Sequence, residues 1–462
     1  MSSGTFRSRS LVTQPNRGVT ATRGPRAARR APHKIGHECQ LDKEPTLDEQ
    51  GAVRKSGTRV STHRRAGRST PLLLLVVGAL VLPGCGPARF PAVAPAPSQL
   101  PPVDVVLYLI GDAGDPDSES PILSFLREDA AERSETSAVA IAFLGDNIYE
   151  NGLHEPGRPG REHDVRAIEL QLDVLRGIRA KGVFLPGNHD WGGGGERGLA
   201  SVRRQAEYVN AAAGRDLDVV FVPKGGCPGP VSLPVGESVL LVALDTEWLL
   251  RYEAAPEGLA CANRSAGEVG RALREALSTP AAAARDVLVL AHHPLATNGS
   301  HGGYFGVTDQ LFPLTNFWSP LYIPIPFLYP IVRNSGVSSQ DMSSPGNRRM
   351  RDLIIGAISE APKPPIVYAA GHEHTLQVFR GSGYGAEYLL VSGAGGRLKA
   401  VEKGDALFAA GRQQRELGYM RLEFFGDGTV LLTVVTDGTA ECEGPAQGCR
   451  PEPMIRYWSW LK

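Results

Sequence analysis

Cysteine is scarce, at six in 462 residues, and no pair has the spacing of a zinc-binding knuckle, so a structural zinc module is excluded. Long apolar runs are missing too: Leu72–Leu82 is too short to span a bilayer comfortably. The glycines at 192–195 lack the Lys-Ser/Thr pair and helix entry of a phosphate loop, which excludes nucleotide binding of that kind. No internal repeat is apparent. Net charge is absent overall, at 49 basic against 49 acidic side chains. The balance conceals an asymmetry: residues 1–69 hold 15 Lys or Arg against 5 Asp or Glu, 70–84 hold neither, and the chain from Cys85 onward carries 34 against 44. A net-negative body argues against nucleic acid as the main partner.

What is present begins with an export pattern. Arg64, Arg65 and Arg68 precede the aliphatic run, which ends in Leu82-Pro83-Gly84-Cys85. The run suits the apolar region of a signal peptide. Its last four residues resemble the bacterial lipobox, which implies cleavage before Cys85, acylation of that cysteine and a lipid-anchored place in the bacterial cell envelope. A secretory signal with an incidental cysteine, or a retained anchor, is the alternative. Arg64-Arg65 fits a twin-arginine signal poorly, because Ala66-Gly67-Arg68 follows. Residues 1–84 thus read as a disordered basic extension, or an upstream start, plus a signal peptide. Residues 85–102, rich in Pro and Ala, read as a tether. Residues 103–440 read as one α/β domain and 441–462 as a tail. With Cys39 and Cys85 set aside, an even four remain. In an exported chain they favour two disulfides, most simply Cys227 with Cys261 and Cys442 with Cys449, although three connectivities are possible.

Within the body, apolar strands alternate with amphipathic helices, the βαβ pattern of parallel neighbours. Helices are expected near 122–132, 164–178, 197–213 and 348–359, and from the capping-box spacing Ser265-x-x-Glu268 to Leu277. Five strands end in a polar group. Val103–Ile110 runs into Asp112, Val139–Leu144 into Asp146 and Tyr149, Val183–Leu185 into Asn188, Val287–Ala291 into His292, and Ile366–Ala370 into His372 and His374. Open α/β sheets keep their ligands at strand carboxyl ends. Oxygen and imidazole donors suit Fe, Zn or Mn rather than a soft-metal site. Two such ions sit about 3.5–4 Å apart and need a shared ligand, which a two-oxygen carboxylate supplies. Asp146, mid-series, is the candidate bridge.

The blocks Gly111-Asp112-Ala113-Gly114, Gly145-Asp146-Asn147-Ile148-Tyr149, Gly187-Asn188-His189-Asp190, Val289-Leu290-Ala291-His292 and Gly371-His372-Glu373-His374 resemble, in order, those of the calcineurin-like metallophosphoesterases. Tyr149 narrows the resemblance to the purple acid phosphatase branch. It extends to Leu244-Asp245-Thr246 and Val391-Ser392-Gly393-Ala394-Gly395. The resemblance implies a four-layer αββα sandwich of two mixed sheets flanked by helices. It implies Asp112, Tyr149 and His374 on a ferric ion, Asn188, His292 and His372 on a divalent Fe, Zn or Mn, and Asp146 between them. The implied activity is hydrolysis of phosphate monoesters by metal-bound hydroxide. His189 and His301 are the implied catalytic pair, orienting phosphate and protonating the leaving alkoxide.

Other residues read as support. His293 is expected to pack rather than bind metal, because adjacent side chains on an extended segment diverge. Asp115, Asp190 and Asp245 are expected behind the ligands or in turns. An insertion over about 303–345 carries aromatics from Phe312 to Tyr329 among five prolines from Pro313 to Pro330. These rule out a regular helix there and leave a lid, a substrate wall or a packed loop. A phosphodiesterase or nucleotide pyrophosphatase on the same site, and a non-catalytic surface-binding lipoprotein, are the competing functions.

Overall fold

The computed structural model describes residues 90, 100–115, 120–192, 195–213, 217–306, 310–312, 325, 328–442 and 450–462. The signal peptide, Cys85, nearly all of the tether, the pairing of Cys442 with Cys449 and most of the proline-rich insertion lie outside the described residues. All described residues fall in the unit Leu80–Lys462.

β1 (Val103–Ile110) has buried side chains on both faces, sorted by parity. Val105, Leu107 and Leu109 enter one apolar cluster, whereas Val106, Tyr108 and Ile110 enter another. A strand buried on both faces is covered on both sides. It lies in a seven-stranded sheet ordered β14 (Met454–Trp460), β13 (Val430–Thr436), β12 (Gly418–Phe425), β1, β2 (Ala138–Phe143), β3 (Ala180–Phe184), β4 (Asp218–Phe221). β1 to β4 are parallel, while β12 to β14 are antiparallel to their neighbours. The second sheet also has seven strands: β11 (Phe408–Ala410), β9 (Leu376–Arg380), β10 (Tyr388–Ser392), β8 (Val367–Ala370), β7 (Asp286–Leu290), β6 (Val239–Ala243), β5 (Val231–Val235).

The inter-sheet cluster joins Leu107 and Ala142 to Leu288, Val367 and Leu390. Outside the first sheet lie α1 (Ile122–Arg133), α2 (Arg161–Asp173) and α3 (Gly195–Ala213), whose Leu126, Ile168 and Val209 pack on Ile141 and Tyr108. Outside the second lie α5 (Ala266–Leu277) and α8 (Pro345–Ser359), whose Leu273 and Ile354 pack on Val289 and Tyr368. α4 (Thr246–Arg251), α6 (Pro280–Ala283) and α7 (Leu328–Asn334) are short further helices. The result is the expected four-layer αββα sandwich. Cys227 and Cys261 form the expected disulfide.

Three expectations change. Residues 441–462 are not a tail, because β14 pairs with β13 along its length; as an edge strand it is only partly buried and shows little apolar alternation. The prolines before Ile331 do not abolish helix, since Pro330 sits in the first turn of α7, where its missing N–H costs no bond. α2 starts three residues earlier than expected, after Gly160 at φ 90°. No described helix is long and apolar enough to cross a membrane.

Candidate metal centre

β1, β2 and β3 run parallel and adjacent, so Asp112, Asp146 and Asn188 emerge side by side at one sheet edge. β7 and β8 do the same for His292 and His372 in the other sheet. The edges are stitched together: His372 N–H donates to Asp112 Oδ2 (2.7 Å), and Gly111 N–H donates to the Ser392 carbonyl (2.7 Å). Asp112, Asp146 and His372 hold φ of 58°, 53° and 68°, left-handed conformations that cost a side-chain-bearing residue roughly 1–3 kcal/mol each. Strain gathered at one place points to function there. Glycine permits the close approach. A Cβ at Gly187 would stand 2.2 Å from Asp146 Oδ1, and one at Gly145 2.6 Å from His292 Nδ1.

All seven expected ligands come together, in two groups. Asp112, Asp146 and His374 present donor atoms within 4.8 Å of one another. Tyr149 Oη joins them, 3.1 Å from both Asp112 Oδ1 and His374 Nε2. In the second group Asn188 Oδ1 lies 3.0 Å from His292 Nε2 and 2.9 Å from His372 Nδ1. Asp146 Oδ1, 3.4 Å from His292 Nε2, touches both groups. His293 also offers a donor atom within 4.8 Å of those of His292 and His372, yet its Nδ1 meets Thr246 Oγ1 (2.8 Å) and its Nε2 meets Gln340 Oε1 (2.7 Å). Both ring nitrogens thus meet protein groups.

The hydrogen bonding asks for a cation. His292 Nδ1 donates to the Leu144 carbonyl (2.8 Å), which leaves a lone pair on Nε2. His372 Nε2 faces the Gln340 carbonyl (3.3 Å), which leaves a lone pair on Nδ1. These two lone pairs, 3.3 Å apart, meet Asn188 Oδ1 with no proton to share. A metal ion satisfies all three converging acceptors at once.

Electrostatics agree. Burial, then the charge of Asp146, pushes the Asp112 carboxyl well above the usual range. Burial, then Asp112 and Asp146, raises the Tyr149 phenol in the same way. Both shifts come from burial first and neighbouring negative charge second, and a bound cation would relieve both. Burial holds His292, His372 and His374 below the ordinary imidazole value, hence neutral, the form that ligates.

Behind the ligands, Asp190 accepts from Gly187 N–H (2.7 Å), Asn147 N–H (3.0 Å) and Gln205 Nε2 (2.9 Å), fixing the second and third loops. Asp245 caps α4, accepting from Trp248 N–H and Trp191 Nε1. Asp115 pairs with Arg397 Nε (2.9 Å). A cavity of about 770 Å³ opens over the centre, and both His189 and His301 line it. His189 Nδ1 donates to the Glu150 carbonyl (2.8 Å). His189 titrates above its ordinary value: burial disfavours the cation, but the Asp146 and Glu150 charges outweigh it.

The sequence reading missed the cationic wall of this cavity, Arg333, Arg397, Lys399 and Arg412. Arg397 lies over the Tyr149 ring, 4.1 Å from its centroid. A signal for it existed: Gly393 to Arg397 follows the end of β10 as the ligand loops follow theirs. Arg333, on the short exposed helix α7, had no such signal.

No family model matches the chain, and neither does any curated protein. Among solved structures, GAP50, "the anchor in the inner membrane complex of Plasmodium", aligns at 12% identity and TM-score 0.42 over 76% of this chain and 88% of that one. Purple acid phosphatase PPD1 from seeds of yellow lupin (Lupinus luteus) aligns at 13% identity and TM-score 0.41 over 78% of this chain. The aligned part spans 55% of the lupin enzyme's length, and at these values neither likeness bears on activity or partner.

Proposed function

We propose that this chain is an exported, lipid-anchored, binuclear metal-dependent phosphatase acting on phosphate monoesters. The observation that carries the reading is the pair of donor groups sharing Asp146 at one double sheet edge. Asp112, Tyr149 and His374 would hold one ion, ferric by the hard and phenolic character of the set, and Asn188, His292 and His372 a divalent Fe, Zn or Mn. Such ions, when bound, acidify water and neutralise phosphoryl oxygens. The chain's own part is positional. Asp146 spaces the two groups, Arg397 and Lys399 place positive charge where phosphate oxygens enter, and His189 and His301 flank the cavity to orient the phosphoryl group and move a proton. Acylated Cys85 would tether the body through the Pro- and Ala-rich segment, a role supported by Leu82–Cys85 in the sequence.

The test is to express residues 86–462, measure iron, zinc and manganese, record a visible spectrum, and assay mono- and diesters. Expected are two metals per chain, a phenolate-to-iron band that Tyr149→Phe abolishes, and monoester hydrolysis lowered at least 10²-fold by Asp146→Asn. Full activity in Asp146→Asn sinks the binuclear mechanism. A colourless dizinc protein removes the ferric assignment alone, and faster cleavage of diesters favours the phosphodiesterase. In the full chain, Cys85→Ser is expected to release the protein from the membrane fraction.

A further inference from the structure

His301 is gripped from two sides. Its backbone N–H donates to Glu373 Oε2 (2.8 Å), and the preceding Ser300 Oγ donates to Glu373 Oε1 (3.1 Å). Glu373 is fully buried between His372 and His374, so the turn that carries His301 is tied to the metal-binding loop. The ring has a separate anchor. Nδ1 lies 3.0 Å from Asp341 Oδ1, on a carboxylate only 1% exposed, and Met342 N–H donates to the His301 carbonyl (2.9 Å). Behind Asp341, Arg333 Nε donates to Oδ2 (2.7 Å), and its Nη2 bonds to Oδ1. Nη2 also comes within 3.0 Å of His301 Nδ1. Asp341 Oδ1 and Arg333 Nη2 together occupy Nδ1. Nε2 is the nitrogen left for the cavity.

The two cavity histidines therefore differ. His189 Nδ1 bonds a backbone carbonyl, with the exposed Glu150 carboxylate 3.6 Å away and Asp146 3.9 Å from Nε2, whereas His301 bonds a buried carboxylate directly, the arrangement that fixes an imidazole's orientation and supports it while it carries two protons. On the phosphatase reading, we propose that Asp341, backed by Arg333, is the positioning residue for proton delivery to the leaving oxygen and acts through His301. The bond between phosphorus and the leaving oxygen breaks with its electron pair staying on that oxygen. The oxygen takes the proton from His301 Nε2, water supplies the hydroxyl that phosphorus gains and loses its other proton to solvent, and solvent returns one proton to His301.

The experiment compares p-nitrophenyl phosphate, whose leaving oxyanion is stable unprotonated, with glycerol phosphate, whose leaving alkoxide is not. In the metal-loaded protein, Asp341→Asn is expected to lower kcat on glycerol phosphate by about 10²-fold. The loss on p-nitrophenyl phosphate stays several-fold, metal content holds, and Asp341→Glu recovers part of the difference. Equal loss on both esters, or loss on neither, overturns the assignment. If Asp341→Asn does not fold, Arg333→Gln must show the same ester-dependent split, and its absence overturns the assignment equally. A metal-loaded wild type that cleaves neither ester fails the phosphatase reading itself, an outcome distinct from the others.

Discussion

Gly187 shows how little room the centre leaves at the level of single atoms. An added Cβ would stand 2.2 Å from Asp146 Oδ1, 2.4 Å from the Asp146 backbone nitrogen and 2.8 Å from His292 Cε1. None of these is the free end of a flexible side chain. On the proposed binuclear reading, Gly187→Ala is therefore expected to displace Asp146, strip metal from both groups and lose activity, while overpacking costs roughly 1–3 kcal/mol of stability. Metal analysis beside a denaturation curve checks it: a variant that keeps two ions would show that the loop yields. Such precision was readable only in part from sequence. The residues that converge at the sheet edge were legible because each follows an apolar strand. The supports were not, because Asp341 lies 40 residues from His301 and meets it only through folding.

At the scale of elements, the legible parts are those with strong periodicity or end signals. α5 is the clearest, since Ser265 Oγ accepts from Glu268 N–H (3.3 Å) and Glu268 Oε2 accepts from Ser265 N–H (3.1 Å), the capping box that the spacing announced. β5 went unread because Pro234 interrupts an edge strand, a place where a missing donor is tolerated, and β11 because three residues carry no period. α5 packs on α8 over the second sheet, so its cap has a measurable role. Ser265→Ala is expected to cost about 1 kcal/mol. Glu268 adds a pH dependence. The backbone bond from Arg264 N–H, and then that from Ser265, hold its carboxyl below the ordinary value. A lowered folded-state value means the stabilisation is present above the unfolded pKa, about 4.3, and fades as pH falls through the folded value. Melting curves of the wild type and Glu268→Gln should separate at pH 7 and converge in acid. A gap that widens in acid contradicts the assignment.

The whole molecule is closed by its last residues. β14 completes the first sheet, Leu461 enters the inter-sheet cluster, and Lys462 Nζ meets Asp286 Oδ1 at the foot of β7 (2.8 Å), so this segment spans both sheets. Its Arg456 is paired bidentately with Glu416, Nε to Oε2 at 2.8 Å and Nη2 to Oε1 at 2.5 Å, with Glu416 1% exposed. Removing one partner of a buried pair strands the other, at a cost of about 3–5 kcal/mol. Ligand loops from both sheets depend on the sandwich staying shut, because the centre is assembled across their common edge. Arg456→Met should therefore lose about 3–5 kcal/mol in urea unfolding, and removing residues 441–462 should abolish both the cooperative transition and metal retention. Replacing the pair together, Glu416→Leu with Arg456→Met, should recover most of the loss, since an apolar pair of similar volume leaves no buried charge unmatched. A truncated chain that still melts cooperatively with its metals bound would place the closing role elsewhere, on the β1 to β12 pairing that sits at the middle of the sheet.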